Sequence, residues 1–310
     1  MSGTRRARLR ALAKINLELR VLGQRPDGYH ELRTIFHTIS LADSIDIAFT
    51  PGRRTAIELD DELHLSDNLV TRAASAVLDA MRTTGRVEMR LRKRIPIGAG
   101  LGGGSSDAAA VLLALPALAG RRLEMERLSE LGGQLGSDVP FFLLGGAAAG
   151  MGRGTELMPL PDEKSWKGIL VSPGIHVSTA EAYCLLNSRL TSESQQNKIV
   201  AFQSRVWSGG VSRAACNDFE TVVTERFGIV GAIKKRLLRA GASMALMTGS
   251  GSAVYGIFPA STQLSGVFRL FRREKVFRFS LVSRARYRAL WWRALEEHST
   301  PTVWPPQDER

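Results

Sequence analysis

Two cysteines stand in a chain of 310 residues, Cys184 and Cys216, far apart and with no cluster of histidines near either. So sparse a set gives neither a disulfide framework nor the ligand spacing of a zinc site. Long apolar runs are lacking as well: nothing approaches the roughly 18 to 20 uncharged residues that a membrane-crossing helix needs. The basic start, residues 1–10, has no apolar stretch behind it to serve as a signal peptide. The expectation is a cytoplasmic protein with no membrane partner. There is no fixed-period repeat, which excludes solenoids and arrays. Acidic residues are in short supply, 30 against 42 Lys and Arg, for a formal net charge of +12. Such an excess attracts anions, and nucleic acid, acidic membrane and phosphorylated small molecules all fit it. The basic residues are spread over 5–10, 90–94, 234–239 and 269–293, as on ordinary solvated surface, and form no single tract.

What is present is enough apolar material, 44%, for a well-buried core in one two-lobed protein or two domains. Leu9, Ala11, Ala13, Ile15, Leu17, Leu19 and Val21 alternate with Arg10, Lys14, Asn16, Glu18 and Arg20. This is the period of a half-buried strand, and it puts Lys14 and Asn16 on one wet side. Arg25-Pro26-Asp27-Gly28 reads as a turn leading directly to Tyr29-His30, with strands over 32–39 and 44–49. Asp67 is placed to cap a helix on which Leu69, Val70, Ala73, Ala74, Val77, Leu78 and Met81 recur at helical spacing. Residues 87–95 alternate as a strand with one charged face, 105–118 predict a buried helix, and 126–135 predict an amphipathic one ended by Gly136-Ser137-Asp138-Val139-Pro140. Beyond Phe141 the pattern predicts strands through Leu160 and over 168–172, a helix from Thr179, an exposed loop over 191–198, and helices over 217–226 and 229–240. A hairpin of 244–248 and 253–258 is joined by Gly249-Ser250-Gly251-Ser252. Aromatics among arginines in 268–293 suggest a nucleic-acid surface. A closing strand near 276–282 and a helix packing through Tyr287, Leu290 and Trp291 account for them without one, followed by a mobile end at 301–310. Strands and helices without strict alternation indicate an α+β fold.

The segment Pro96-Ile97-Gly98-Ala99-Gly100-Leu101-Gly102-Gly103-Gly104-Ser105-Ser106-Asp107 has five glycines in seven positions between a strand and a helix. Glycine lets the backbone approach a ligand, and the helix start presents unpaired N–H groups to an anion, so this is a phosphate cradle. Ser105 and Ser106 add hydroxyls. A P-loop needs Lys before Ser or Thr, and Gly104 stands there instead. Gly98, Gly100 and Gly103 satisfy the dinucleotide pattern, with Glu124 about twenty residues on. The context fails, because the preceding strand alternates with charge and a helix follows where a second strand is required. Asp107 complements the helix dipole but would repel phosphate, so it is expected to point away or to touch a metal ion.

Lys14-Ile15-Asn16, Gly28-Tyr29-His30, the glycine segment, Gly136-Ser137-Asp138-Val139-Pro140 and Thr248-Gly249-Ser250-Gly251, in that order and spacing, resemble the GHMP kinases over roughly residues 9–258. The flanks at 13–17, 25–30 and 135–142 resemble most the branch acting on a cytidine diphosphate sugar-alcohol, a homoserine- or mevalonate-type alcohol being the alternative. The resemblance implies a two-lobed α+β fold, with an N-terminal domain over 1–160, a C-terminal one over 161–310, and the site in the cleft between them. It implies ATP as phosphoryl donor, with Mg²⁺ expected but its ligands unidentified, and small-molecule substrates with no nucleic-acid partner, in a monomer or homodimer. The reaction implied is transfer to the 2-hydroxyl of a methylerythritol unit, in the non-mevalonate route to isoprenoid precursors.

By the same resemblance Lys14 and Asp138 are catalytic, and Asn16, Tyr29, His30 and Tyr183 contact the substrate. Asn68, Lys93, Pro96, Gly98, Gly100, Leu101, Gly102, Gly103, Gly104, Ser105 and Ser106 surround ATP. The chemistry is coherent. An alcohol is a poor nucleophile that a carboxylate can orient, and a lysine keeps that carboxylate ionised and favours charge on the transferred group. A loose transition state needs little early deprotonation, so Asp138 is read as an orienting group that accepts the proton late.

Overall fold

The computed structural model describes residues 3–61, 68–162, 166–187, 192–208 and 215–299. The chain opens with two long antiparallel strands, β1 (Arg5–Gln24) and β2 (His30–Pro51), joined by the turn at Arg25 to Tyr29. Next come β3 (Ala56–Asp61), α1 (Leu69–Ala80), β4 (Gly85–Arg92), α2 (Gly103–Ala119), α3 (Met125–Leu135), α4 (Val139–Leu144), β5 (Ala147–Gly152) and β6 (Glu156–Pro159). After these are β7 (Lys167–Ser172), α5 (Thr179–Asn187), α6 (Ser192–Ser208), α7 (Asp218–Arg226), α8 (Gly228–Arg239), β8 (Met244–Met247), β9 (Val254–Phe258), α9 (Leu264–Phe268), β10 (Lys275–Ser280) and α10 (Arg284–Leu295).

Two sheets result. In the first, β3-β4-β2-β5-β6 lie in that order with β1 also paired to β2. In the second the order is β10-β7-β9-β8. The first core lies between the first sheet and α1 to α4, and α10 returns to it through Tyr287, Trp291 and Leu295. Tyr287 and Trp291 are the aromatics that its sequence spacing marks, so the aromatic-arginine segment is a core edge. A second core fills the lobe around α5, α7, α8 and the second sheet. A third joins Ala13, Ile15 and Leu17 of β1 to Leu170, Tyr255, Ile257 and Phe279 of the second sheet.

That third core corrects the half-buried reading of β1. Leu9, Ala11 and Leu12 belong to the first core, but after a register shift between Leu12 and Lys14 it is Ala13, Ile15 and Leu17 that face the second sheet. A bulge inserts one residue and re-aims the side chains beyond it. Lys14 and Asn16 still share a side, as the period of two requires, but they are 3% and 1% exposed, not wet.

Three other expectations change. Asn68 caps α1, its Oδ1 accepting from the Val70 N–H, while Asp67 lies outside the described residues, as do 301–310. Residues 139–144 form a short helix where a strand was expected, with Pro140 fixing its first turn. The polar stretch expected as a loop over 191–198 is, from Ser192, the start of α6. The 244–258 hairpin forms as expected, its two strands paired in register from Met244 opposite Ile257 to Met247 opposite Val254.

Candidate active site

A cavity of about 1010 Å³ opens where the glycine loop, the bulged part of β1, the turn before β2 and the start of α5 converge. The bulge sends Lys14 into it. Its Nζ donates to Asn16 Oδ1 at 2.8 Å and lies 3.3 Å from Asp138 Oδ2. Asp138 is the residue before α4 and does not spend its side chain on capping. Its carboxylate, about one-third exposed, therefore faces the cavity beside an ammonium that is nearly sealed from water. Removing the lysine from water strengthens its field at the carboxylate.

Asn16 lines the cavity and is also heavily engaged within the protein. Its Oδ1 also accepts from Thr248 Oγ1 and the Gly249 N–H, and its Nδ2 donates to Thr34 Oγ1. Its backbone N–H donates to Thr248 Oγ1 and its carbonyl accepts from Tyr255 O–H. Asn16 lines the cavity, yet its polar atoms hold Lys14 and tie β1 to the loop after β8. Asn217 clamps the other side of that loop, donating to the carbonyls of Met247 and Gly249.

The glycine loop is pinned at both ends. Leu101 carbonyl accepts from the Lys14 N–H, and Ala99 carbonyl from the Ala253 N–H. Gly98, Gly100 and Gly102 adopt left-handed backbone, φ 62°, 77° and 68°. A side chain at Gly100 would overlap the Thr248 carbonyl, and one at Gly102 would meet Phe142 at 2.8 Å. Pro96, Leu101, Gly103, Gly104, Ser105 and Asn68 all line the cavity. Ser106 does not: its hydroxyl donates to the Leu12 carbonyl in the interior at 2.7 Å, fastening α2 to β1. Lys93 is on the lining but is shared between Asp43 and Asp107, so the partner of Asp107 is a lysine and not the metal ion expected.

An aromatic cluster completes the cavity. His30 and Tyr183 stack with centroids 4.1 Å apart, Tyr183 meets Phe219 edge-on, and His30 Nε2 lies 2.7 Å from Asn187 Oδ1. Burial first, then the charge of Asp138, pushes the Tyr183 phenol well above its usual value, so it stays protonated. Tyr29 is half exposed, and the Arg153 guanidinium lies 3.4 Å above its ring. Arg153 and His176, the latter against Gly98, are lining residues that the sequence did not disclose. A signal for Arg153 existed in Gly152-Arg153-Gly154, since glycines on both sides of a charged residue mark a tight turn. His176 had none.

A curated protein of Solibacter usitatus, a 4-diphosphocytidyl-2-C-methyl-D-erythritol kinase, is 63% identical over 99% of this chain and 98% of its own length. The chain belongs to this family of GHMP kinases. Residues 68–146 match the GHMP kinases N terminal domain and 208–272 the GHMP kinases C terminal domain. A crystal structure of 4-(cytidine 5'-diphospho)-2C-methyl-D-erythritol kinase superposes with a TM-score of 0.73 at 34% identity, covering 88% of this chain and 98% of that one. Mevalonate kinase of Methanococcus jannaschii, 15% identical with a TM-score of 0.66 over 91% of this chain and 99% of that one, shares the fold alone. As a GHMP kinase the protein is an ATP-dependent small-molecule kinase. No helix among its described residues is long and apolar enough to cross a membrane.

The Asp43–Lys93–Asp107 group leaves a mark on the stability of this GHMP kinase. Burial, the largest influence, and Asp43 raise the Asp107 carboxyl from 3.8 to about 7 against the opposing pull of Lys93. The folded protein therefore keeps a proton that the unfolded chain has released, and this group's contribution falls as pH rises from about 4 to about 7, then levels. Asp107→Asn is expected to remove that slope. Denaturant midpoints measured across the window should differ less in the variant than in the wild type, and equal pH dependence in both would refute the assignment.

Proposed function

We propose that the chain transfers the γ-phosphoryl group of ATP to the 2-hydroxyl of 4-diphosphocytidyl-2-C-methyl-D-erythritol, giving the 2-phosphate and ADP. The observation that carries this reading is the Lys14–Asp138 pair at 3.3 Å, flanked by the glycine loop through Gly102 and by the aromatic cluster through Tyr183. Asp138 orients the hydroxyl and takes its proton as the bond to phosphorus forms. Lys14 pairs with Asp138 and faces the charge that builds on the transferred group. The backbone N–H groups at the start of α2 receive the phosphates.

The aromatic cluster suits a pyrimidine. With Asn187 presenting Oδ1, His30 Nε2 is a donor, and Nδ1 is left to face a polar edge of the base, such as the exocyclic amine of cytosine. Tyr29 and Tyr183 supply ring surface for stacking. Loss of one stacked ring costs roughly 1–3 kcal/mol. Tyr183→Leu is therefore expected to raise KM for the cytidine substrate roughly 10- to 100-fold with a smaller change in kcat. A collapse of kcat at unchanged KM would remove Tyr183 from the binding role.

Among the described residues no three His, Cys, Asp or Glu side chains converge into a metal cage. The donor set fits a cation held mainly by the nucleotide, with Asp138 an accessible carboxylate on the lining. Bound Mg²⁺ would neutralise charge on the β- and γ-oxygens. The decisive assay is ADP release with 4-diphosphocytidyl-2-C-methyl-D-erythritol beside mevalonate and homoserine. Turnover of the cytidine substrate alone is expected, and turnover of mevalonate or homoserine alone would sink the assignment.

A further inference from the structure

Behind the glycine loop three charges are buried together. Lys93 Nζ, 3.3 Å from where a side chain at Gly103 would begin, donates to Asp43 Oδ2 and, at 2.6 Å, to Asp107 Oδ2. The two carboxylates are not alike. Asp43 Oδ1 accepts the backbone N–H groups of Arg94 and Ile95, so its ionised form is fully supplied with donors. Asp107 Oδ1 is buried and has no donor, although the residue is 1% exposed and lies on the cavity lining.

The surroundings offer little further charge. β2 brings Asp43 and the segment after β4 brings Lys93, the two charged groups whose fields shift Asp107. α1 packs on α2 through Val70, Ala73 and Ala74, and α4 through Phe141 and Phe142, all apolar. Lys14 reaches Gly102 with its stem but directs its ammonium to Asn16 and Asp138.

With both carboxyls ionised the group carries one net negative charge directly behind a loop that is to receive a polyanion. One added proton makes it neutral. We propose that Asp107 takes up a proton from solvent when a nucleotide's phosphates bind, so that Asp43, Lys93 and Asp107 set the chain's affinity for ATP. The inference rests on the nucleotide reading of the glycine loop. Phosphate oxygens in the cradle repel the ionised form of Asp107 and leave the protonated form untouched. Protonated Asp107 can also give Asp43 a hydrogen bond, which relieves the contact between the two carboxyls. Burial already holds this carboxyl near about 7, so a modest added field suffices to complete its protonation. Asp107 is a positioning residue here: it acts on the phosphates through Lys93 and the charge of the group.

The test is titration calorimetry of the whole protein with a non-hydrolysable ATP analogue, in buffers of different ionisation enthalpy. Wild type is expected to take up a fraction of a proton beyond that explained by the analogue's own titration. Its affinity should weaken roughly fivefold between about pH 6.5 and about pH 8.5. Asp107→Asn, isosteric with the protonated acid, should bind at the upper pH about as tightly as wild type does at the lower, without the extra uptake. Binding by wild type with no extra proton uptake overturns the inference without recourse to any variant, and so does uptake that persists in Asp107→Asn. Failure of wild type to bind the analogue at any pH is a separate outcome, which overturns the nucleotide reading itself and this inference with it.

Discussion

Asp138→Asn is expected to lower kcat by about 10³-fold, or about 4 kcal/mol of transition-state stabilisation, with the KM for ATP little changed. The substitution keeps the shape and removes only the charge and the proton-accepting oxygen. The Asp138 side chain caps no helix and is about one-third exposed, and asparagine can still accept from Lys14, so the variant is expected to remain folded. Lys14→Met should fall by a similar factor for the complementary reason, since it leaves Asp138 without the ammonium at 3.3 Å. Because the two act as one unit, the double variant should be little worse than either alone. A coupled ADP-release assay under saturating substrates reads all three. Full activity in Asp138→Asn would refute its role in the transfer. Strictly additive losses would mean that the pair is not a unit.

Gly100→Ala should be as damaging to nucleotide binding, by way of the backbone. At φ 77° an L-side chain costs roughly 1–2 kcal/mol in strain alone. The added carbon would also overlap the Thr248 carbonyl, in a loop that Asn16 holds through Thr248 Oγ1 and the Gly249 N–H and Asn217 holds through the Met247 and Gly249 carbonyls. Since neither side can yield cheaply, the glycine loop must leave the Thr248 loop. We expect ATP affinity to fall by more than tenfold and the melting temperature by roughly 5 °C or more. Gly104→Ala supplies the control. It lies in the first turn of α2 with ordinary helical backbone, and its new methyl would meet only Leu69 at 3.6 Å. Its melting temperature should stay level or rise, as replacing a helical glycine by alanine predicts. Equal stability in Gly100→Ala and wild type would show that the Thr248 contact does not constrain the loop.

The parts of this site legible in the sequence are those where backbone chemistry leaves a local trace. Glycines at left-handed positions, a strand running into a helix and the short motif around Asp138 are all contiguous, so the cradle is read directly. Lys14 is legible as a motif but not as an environment. A period of two assigns faces only until a bulge intervenes, and nothing in the letters around Leu12 announces one. The groups around the Lys14 side chain, Phe36, Gly102 and Asp138, come from three separate places in the chain. For Asn16 the local sequence cannot show that Thr248, 232 positions away, also bonds to its side chain. Asp43 is invisible for the same reason, and Ser106 looks equivalent to Ser105 until helical phase turns it inward to Leu12. Polarity misleads over 192–198, where a polar helix and a loop have the same composition.

The sharing of β1 between all three cores bears on the order in which the protein is made. The strand that carries Lys14 leaves the ribosome first, and part of its length can settle early against β2 and the helices of the first lobe. Thr248, the partner of Asn16, and Asn217, which pairs with Leu19, emerge about two hundred residues or more later. Until then Lys14 lacks the anchored asparagine that aims it. A nascent chain that lacks the second sheet and α10 has neither lobe complete, so turnover during synthesis is expected only once the second sheet closes over β1 and α10 returns to the first core.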